Sequence, residues 1–594
     1  MKLRFYLSCI FILFVSLAGY SQNPQWVSEF VGNNDCSVNA IALDADKNLF
    51  AIGSFDGTVN FVAGNPSFTK TSTGQSDHYI AKMDSNGVML WVNQFNNINN
   101  AGANNIEVDK SGNIYVSGWF FNTLDFDPGP GVGNLTALSQ EGFLTKYDNN
   151  GNFLWAKLQP GVGSNDVPLA VDTAENVYVA SNDNNFTTLE KYSPTGALLW
   201  SKSFTSSYPS STKALDFTSL HVDKFNTLIV GGYFRDTVDF DPDSSTFNLV
   251  SSINFDMFIL KLDTLGSLIW IKSIQGDRYS HANAIDTDEN GNIYIAGIFN
   301  GTYDFDPGIG IYSLSQNITS VQGHGFISRF DRSGNFNWVK KAFGSRNTGL
   351  DEMVYTQGNV HALGTFSTSI VAENSLLDRY RRDAIDGFDI SLLTLDSSGI
   401  VKDVRAMGGK GNDYGTAIIK NTNGELYVAG YFYDSLDVNP TLSEFYLHST
   451  TNKNAFITKI GQCTSTLPTT NDTVVACSYY VGKSGNTYNS TGVYFFKFGT
   501  INGCDSTNTL YLTINDDTTS SVVISSCGPF KSPSGKIWGT SGNQYRDTIP
   551  ASYGCDSVIQ FNLTVINLNP QVWQSGLDLK AGFTSTSFGY QWLD

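Results

Sequence analysis

The sequence predicts an all-β chain, and three observations predict it. Strand-forming residues dominate: 41% of the 594 residues are hydrophobic and 13% aromatic, against 15% charged. Turn formers are dense, with 56 glycines and 16 prolines, as expected for many short strands joined by tight turns. A segment of fixed design also recurs along most of the chain, the mark of a repeat architecture. Its clearest copy runs from Val108 to Gly129. A turn at Asp109-Lys110-Ser111-Gly112-Asn113 leads into an alternating strand from Ile114. Asp125-Phe126-Asp127-Pro128-Gly129 then ends that strand, because proline cannot donate to a ladder.

Seven copies begin near Asp44, Asp109, Asp172, Asp223, Asp288, Thr356 and Asn421. They lie about 65 residues apart, except that the third is short and lacks the Asp-Phe-Asp-Pro stretch. Each carries about four strands. In the second unit these are Ile106 to Val108, Ile114 to Phe120, Phe143 to Tyr147 and Phe153 to Lys157, with a tight Asp148-Asn149-Asn150-Gly151 turn between the last two. Four antiparallel strands per unit make a blade, so residues 22–462 are predicted to form a seven-bladed β-propeller.

The fourth strand brings a tryptophan in most units: Trp91, Trp155, Trp200, Trp270 and Trp338, with Val404 in the sixth. A large aromatic there is expected to pack between neighbouring blades. The seventh unit stops after its third strand, Phe456 to Ile460. The missing tryptophan strand stands at the other end of the chain, at Pro24-Gln25-Trp26-Val27. The N-terminal strand is therefore expected to complete the last blade and to remove both exposed edges.

These units resemble the bacterial β-propeller repeat family written SBBP. The carrying residues are Val108-Asp109, Gly112-Asn113, Tyr115-Val116, Phe143-Leu144-Thr145-Lys146-Tyr147-Asp148, Gly151 and Trp155, and the likeness extends from Trp26 to Ile460. The resemblance implies exported bacterial proteins with no common catalytic residues, so none are transferred to this chain.

Residues 1–21 read as a secretory signal, with Lys2 and Arg4 ahead of the apolar run Leu7 to Leu17 and small residues at Gly19-Tyr20-Ser21. That run is too short to span a bilayer comfortably. A secreted or cell-surface protein with no transmembrane segment in the mature chain is expected. After Cys463 the composition shifts to Thr, Ser and Asn, giving a linker at 463–472 and shorter repeats at 473–516 and 517–566. Residues 567–594 open a further module that reads as cut short.

The short repeats resemble the Cys-Asp-Ser modules of secreted surface proteins, which implies immunoglobulin-like β-sandwich spacers. Cys477 with Cys504 and Cys527 with Cys555 are the natural disulfides, each worth roughly 3 kcal/mol in the chain-entropy model. Cys36 and Cys463 remain, on opposite faces of a blade, where pairing is disfavoured.

The net charge of −19 repels nucleic acid and anionic membrane. Three pairs of aspartates flank a phenylalanine between second and third strands: Asp125 and Asp127, Asp239 and Asp241, Asp304 and Asp306. Such hard oxygens could hold Ca²⁺; the plainer reading is an Asx turn before proline. Beyond calcium no cofactor is expected. His78, His281 and His324 are expected in loops on the aspartate face, without a metalloprotease spacing. Gly408-Gly409-Lys410-Gly411 reads as a loop, and Arg379-Tyr380-Arg381-Arg382-Asp383 as a local irregularity. Aromatics that follow the second strands, such as Trp119, Phe121, Tyr233 and Tyr431, would be core or would stack on sugars.

Two functions fit. One is a non-enzymatic exported platform, with no catalytic residues, that binds surface glycans or proteins. The alternative is a polysaccharide-degrading enzyme that takes its acid and base from loops on the aspartate face.

Overall fold

A computed structural model describes residues 22–582 apart from 75, 96–100, 160, 162–166, 184–185, 209–213, 244, 253, 317–322, 343, 345, 376–377, 440–445, 450–451, 463–468, 478, 482–486, 489–490, 500–504, 516–518, 550–556, 567–570 and 576–577. The signal at 1–21, Cys463, Cys504 and Cys555 lie outside the described residues. Those residues are all-β, with one three-residue 3-10 turn at Pro66–Phe68. The chain divides into two compact units, one running to Thr466 with Gly499–Cys504 and the other holding the rest.

Residues 22–462 hold seven sets of four antiparallel strands. In the second set, Ala101–Val108, Ile114–Asp125, Asn134–Tyr147 and Phe153–Gln159 pair in sequence order. These strands outrun the periodicity because the second and third continue past a bulge between Ala137 and Glu141. The first strands of successive sets lie side by side, and Asp413–Lys420 of the seventh lies beside Cys36–Leu43 of the first.

The seventh set is built from both ends of this unit. Its third strand, Asn454–Gln462, pairs antiparallel with Gln22–Gly32, from Gln22 opposite Gln462 to Phe30 opposite Ala455. Phe30 is fully buried against Phe61 and Tyr79 of the first set. A rim strand that would otherwise end the sheet as an open edge is thus covered.

One contact recurs between neighbouring sets. The fourth-strand tryptophan lies beneath the turn joining the third and fourth strands of the next set. Glycines at φ near +80° hold those turns, at Gly87, Gly151, Gly196, Gly266, Gly334 and Gly399. A side chain there would strike the ring: a Cβ at Gly87 would lie 2.7 Å from Trp26, and one at Gly399 2.7 Å from Trp338. The indoles of Trp26, Trp155, Trp200 and Trp338 each donate to a carbonyl of that same turn, all at 3.2 Å. The sixth set carries buried Val404 instead. The seventh has no such turn, because its third and fourth strands come from opposite ends of the unit, so an indole in the sixth would have nothing to lie under.

The second unit has a simpler build. Thr469–Cys477 runs parallel to Asp505–Asn515, which also borders Gly492–Gly499. Thr519–Ser526 runs parallel to Ser557–Val565, which pairs antiparallel with Gly542–Ile549. Small hairpins accompany each sheet, Tyr480–Val481 with Thr487–Tyr488 and Phe530–Lys531 with Ile537–Trp538. The first strand begins inside the stretch expected as a linker, where Thr469 and Thr470 pair with Thr507 and Asn508. Cys477 takes part in a disulfide whose partner lies outside the described residues. Cys527, expected to pair with Cys555, is instead an exposed free thiol, and Cys36 is a buried one.

Deleting Gln22 to Phe30 is expected to strip the seventh set of its outer strand and to abolish a single cooperative melt, checked by calorimetry and light scattering. Trp155→Ala is expected to cost roughly 3 kcal/mol by opening the seam to the third set, measured by urea denaturation.

Candidate functional site

The aspartate pairs fold as caps on short hairpins. Asp304 Oδ1 accepts the amides of Asp306 at 3.1 Å and Tyr312 at 2.8 Å, and Asp306 Oδ1 accepts that of Gly308 at 2.9 Å. Asp239 holds the amides of Asp241 and Phe247, and Asp241 that of Asp243. Asp125 holds Asp127 and Gly133, and Asp127 holds Gly129. Between each pair a phenylalanine turns inward: Phe126, Phe240 and Phe305 are at most 3% exposed. This is the Asx-turn arrangement. Among the described residues no three His, Cys, Asp or Glu side chains converge as a metal site.

The hairpins at Asp239, Asp304 and Asp437, and the one at Asn60, also reach back to the preceding set. Asp304 pairs with Gln275, Asn60 with Val31, Val238 with Ser206, and Asp437 with Gly408. Each therefore adds backbone hydrogen bonds to the end of a neighbour's outer strand, a strap that sequence alone does not reveal.

The histidines stand elsewhere than expected. His78, His281 and His324 lie in the strands Asp77–Met83, Ser280–Thr287 and His324–Phe330, and His78 and His324 are buried. Each sits at a strand start, where a polar residue imitates loop composition. Of the aromatics around the ends of the second strands, Phe120, Phe234 and Phe432 are fully buried and Tyr233 is 5% exposed, whereas Tyr433 is exposed. Arg381 and Asp383 form an exposed ion pair at 2.6 Å.

A lumen of about 880 Å³ runs between the first strands of all seven sets. Most of these strands carry a bulge midway, and a side chain at or beside the bulge donates to the next set's backbone. Asn39 bonds the Ala103 carbonyl at 2.9 Å, Asn105 that of Val167 at 3.2 Å, Asn283 that of Leu350 at 3.1 Å and Thr416 that of Val38 at 2.7 Å. The last of these joins the seventh set to the first.

Two residues before each first turn, the lining changes from set to set. Ala42, Val354 and Ile419 occupy that position in three sets, and Glu107, His221 and Asp286 in three others. Asp286 is the anchor. It accepts Lys420 Nζ at 2.5 Å and the Tyr355 amide at 2.7 Å, and His221 Nε2 lies 3.7 Å away. Burial alone would raise Asp286, but Lys420 and His221 outweigh it and hold the carboxyl below the usual range. Burial pushes His221 down. Glu107 is exposed to the lumen, so the upward push on its carboxyl from the surrounding wall and from Asp286, against the Val108 amide, is weakened by water. Burial raises Asp351 to about 6. The lumen thus sets a buried carboxylate held as an anion in the same cavity as an exposed second carboxyl.

No family profile matches the chain. Over 296 residues it is 27% identical to an uncharacterised WD repeat-containing protein of Acanthamoeba polyphaga mimivirus, covering 46% of this chain and 18% of that protein. The chain therefore spans less than a fifth of that relative's length. Among solved structures it is similar to the Neurospora crassa Pan2 WD40 domain, with a TM-score of 0.33 at 9% identity over 71% of this chain and 88% of that one. It is also similar to Sqt1 of Chaetomium thermophilum, with a TM-score of 0.33 at 8% identity over 69% and 97%. An ulvan lyase described as a new polysaccharide lyase family gives a TM-score of 0.35 at 11% identity over 73% and 96%.

Asp304→Ala removes an acceptor for two amides, so a loss of roughly 1–3 kcal/mol is expected. The loss should be the same with calcium or with a chelator, as read from urea midpoints; a calcium-dependent gap between wild type and variant would make the aspartates ligands.

Proposed function

We propose that residues 22–462 are a seven-bladed β-propeller closed by its N-terminal strand and carried on immunoglobulin-like spacers, the first stapled by Cys477–Cys504. In this reading the protein is exported and acts, without catalysis, as a binding or adhesion platform for surface glycans or proteins. One observation carries it. The contacts between sets repeat almost unchanged, whereas the lumen layer of Glu107, His221 and Asp286 breaks the pattern. A repeat ring that varies where it faces a cavity large enough for a small ligand is built for recognition there.

A specific observation favours the enzyme as a second reading. Glu107, a lumen carboxyl pushed upward, and Asp286, held ionised, would be the acid and base of that reading. This moves the alternative from the aspartate loops to the lumen.

A glycan array probed with the mature chain, with and without calcium, tests both. Binding without turnover is expected, and Glu107→Gln is expected to weaken it roughly tenfold, or about 1.4 kcal/mol. Release of reducing ends from a bound glycan would establish the enzyme instead.

A further inference from the structure

The Gly408-Gly409-Lys410-Gly411 loop belongs neither to the lumen nor to the tryptophan seams. It covers two buried carboxyls where the sixth set meets the seventh. Asp389 lies in the third strand of the sixth set, Asp378–Asp396, and Asp413 is the first residue of Asp413–Lys420. They are 1% and 0% exposed. Asp389 Oδ2 accepts the Ile385 amide at 2.9 Å, and Asp413 Oδ2 accepts that of Gly409 at 2.9 Å. The Oδ1 atom of each is buried with no hydrogen-bond partner.

The two groups lie on either side of one peptide. A Cβ at Gly408 would come within 2.4 Å of both Asp389 oxygens, and the very next amide is the one held by Asp413. Only glycine lets a carboxyl sit so close to the chain at that point.

Equivalent aspartates in other sets are well supplied with donors. Asp77 accepts the Thr73 amide at 2.9 Å and Gln94 Nε2 at 2.6 Å. Asp256 accepts the Ser252 amide and hydroxyl and the Gly276 amide. At Asp389 the residue four places earlier is Ile385, which has no hydroxyl. In addition the seventh set opens on a carboxyl where the first, second and fifth open on Cys36, Ala101 and Ser280. One junction has therefore lost a donor and gained an acid. The charged neighbours that bear on the pair are Asp386 and Asp434, both acidic, with Tyr414 beside Asp413.

We propose that Asp389 and Asp413 carry one proton between them, a coupled acid–carboxylate dyad that latches the sixth set to the seventh and loosens when the proton leaves. A proton on one of them removes the repulsion between two buried carboxylates and gives an orphaned oxygen a hydrogen to offer. The surroundings favour a proton over a cation, because the groups already on these carboxyls are amide N–H donors. Burial, followed by repulsion from Asp389, pushes Asp413 up to about 8, and burial raises Asp389 to about 6. The native dyad holds a proton that an unfolded aspartate would release. Its stabilisation is therefore fully present below the unfolded aspartate range and is lost as pH rises through about 8.

Melting midpoints of the full chain from about pH 5 to about pH 9, with infrared spectra at neutral pH, test this in wild type, Asp413→Asn and Asp389→Asn. Glu107→Gln serves as a control for the lumen, which contributes a slope of the same sign. The wild-type midpoint is expected to fall with rising pH. Either asparagine, a donor at every pH, is expected to flatten that fall, to raise the alkaline midpoint and to remove a protonated-carboxyl band that Glu107→Gln keeps. An unchanged slope, or an unchanged band, in whichever asparagine variant folds would overturn the dyad.

Discussion

The first unit depends on a cation held under a ring at almost every seam. The third strand places a lysine opposite the fourth-strand tryptophan, as in Lys146 beside Trp155 and Lys191 beside Trp200. That amine meets the aspartate of its own set's first turn: Lys146 and Asp109 at 3.3 Å, Lys191 and Asp172 at 3.0 Å, Lys261 and Asp223 at 3.0 Å. It also lies over the tyrosine of the second strand, 4.6 Å from the rings of Tyr115 and Tyr178. It then donates to the next set's glycine turn, to Pro194 from Lys146 and to Thr264 from Lys191. One ammonium thus ties three strands of its own sheet to the neighbour.

Burying such a pair is costly, and a buried ion pair is weak evidence for net stability. Its value is in register. A one-residue slip of the third strand would send the lysine to the opposite face and leave an aspartate buried alone. Burial raises Asp172 and Asp223, yet asparagine or threonine donors and the lysine outweigh it and keep both ionised. The third set adds a side-chain link to the fourth. Asn182 donates to the Phe217 carbonyl and accepts the Phe217 amide, both at 3.0 Å, and so joins the fourth set through its side chain.

Much of this was legible in the sequence because repetition exposes local pattern. The seven turns, the strand alternation, the tryptophans and the transfer of Trp26 to the last set all follow from residue order. The reason for Val404 does not, since it depends on a turn that is missing from another repeat. The straps escaped for the same cause: Asp304 pairs with Gln275 of the previous set, and a period shows what recurs within a unit, not what one unit lends another. The lumen residues Glu107, His221, Asp286 and Lys420 were silent because they break the repeat singly and meet only through contacts between sets. The aspartate pairs drew attention by recurring, and recurrence at a turn marked a backbone requirement.

The pairing of Gln22–Gly32 with Asn454–Gln462 has a consequence in time. A ribosome makes the strand that finishes the ring first and its partner more than four hundred residues later. Until then six sheets can stack along the nascent chain while the first keeps one flank bare. Contacts so remote in sequence close slowly, and the waiting flank is a template for unwanted association. Translocation as an unfolded polypeptide would relieve that hazard, since both ends would then become available in the same compartment, after synthesis is over.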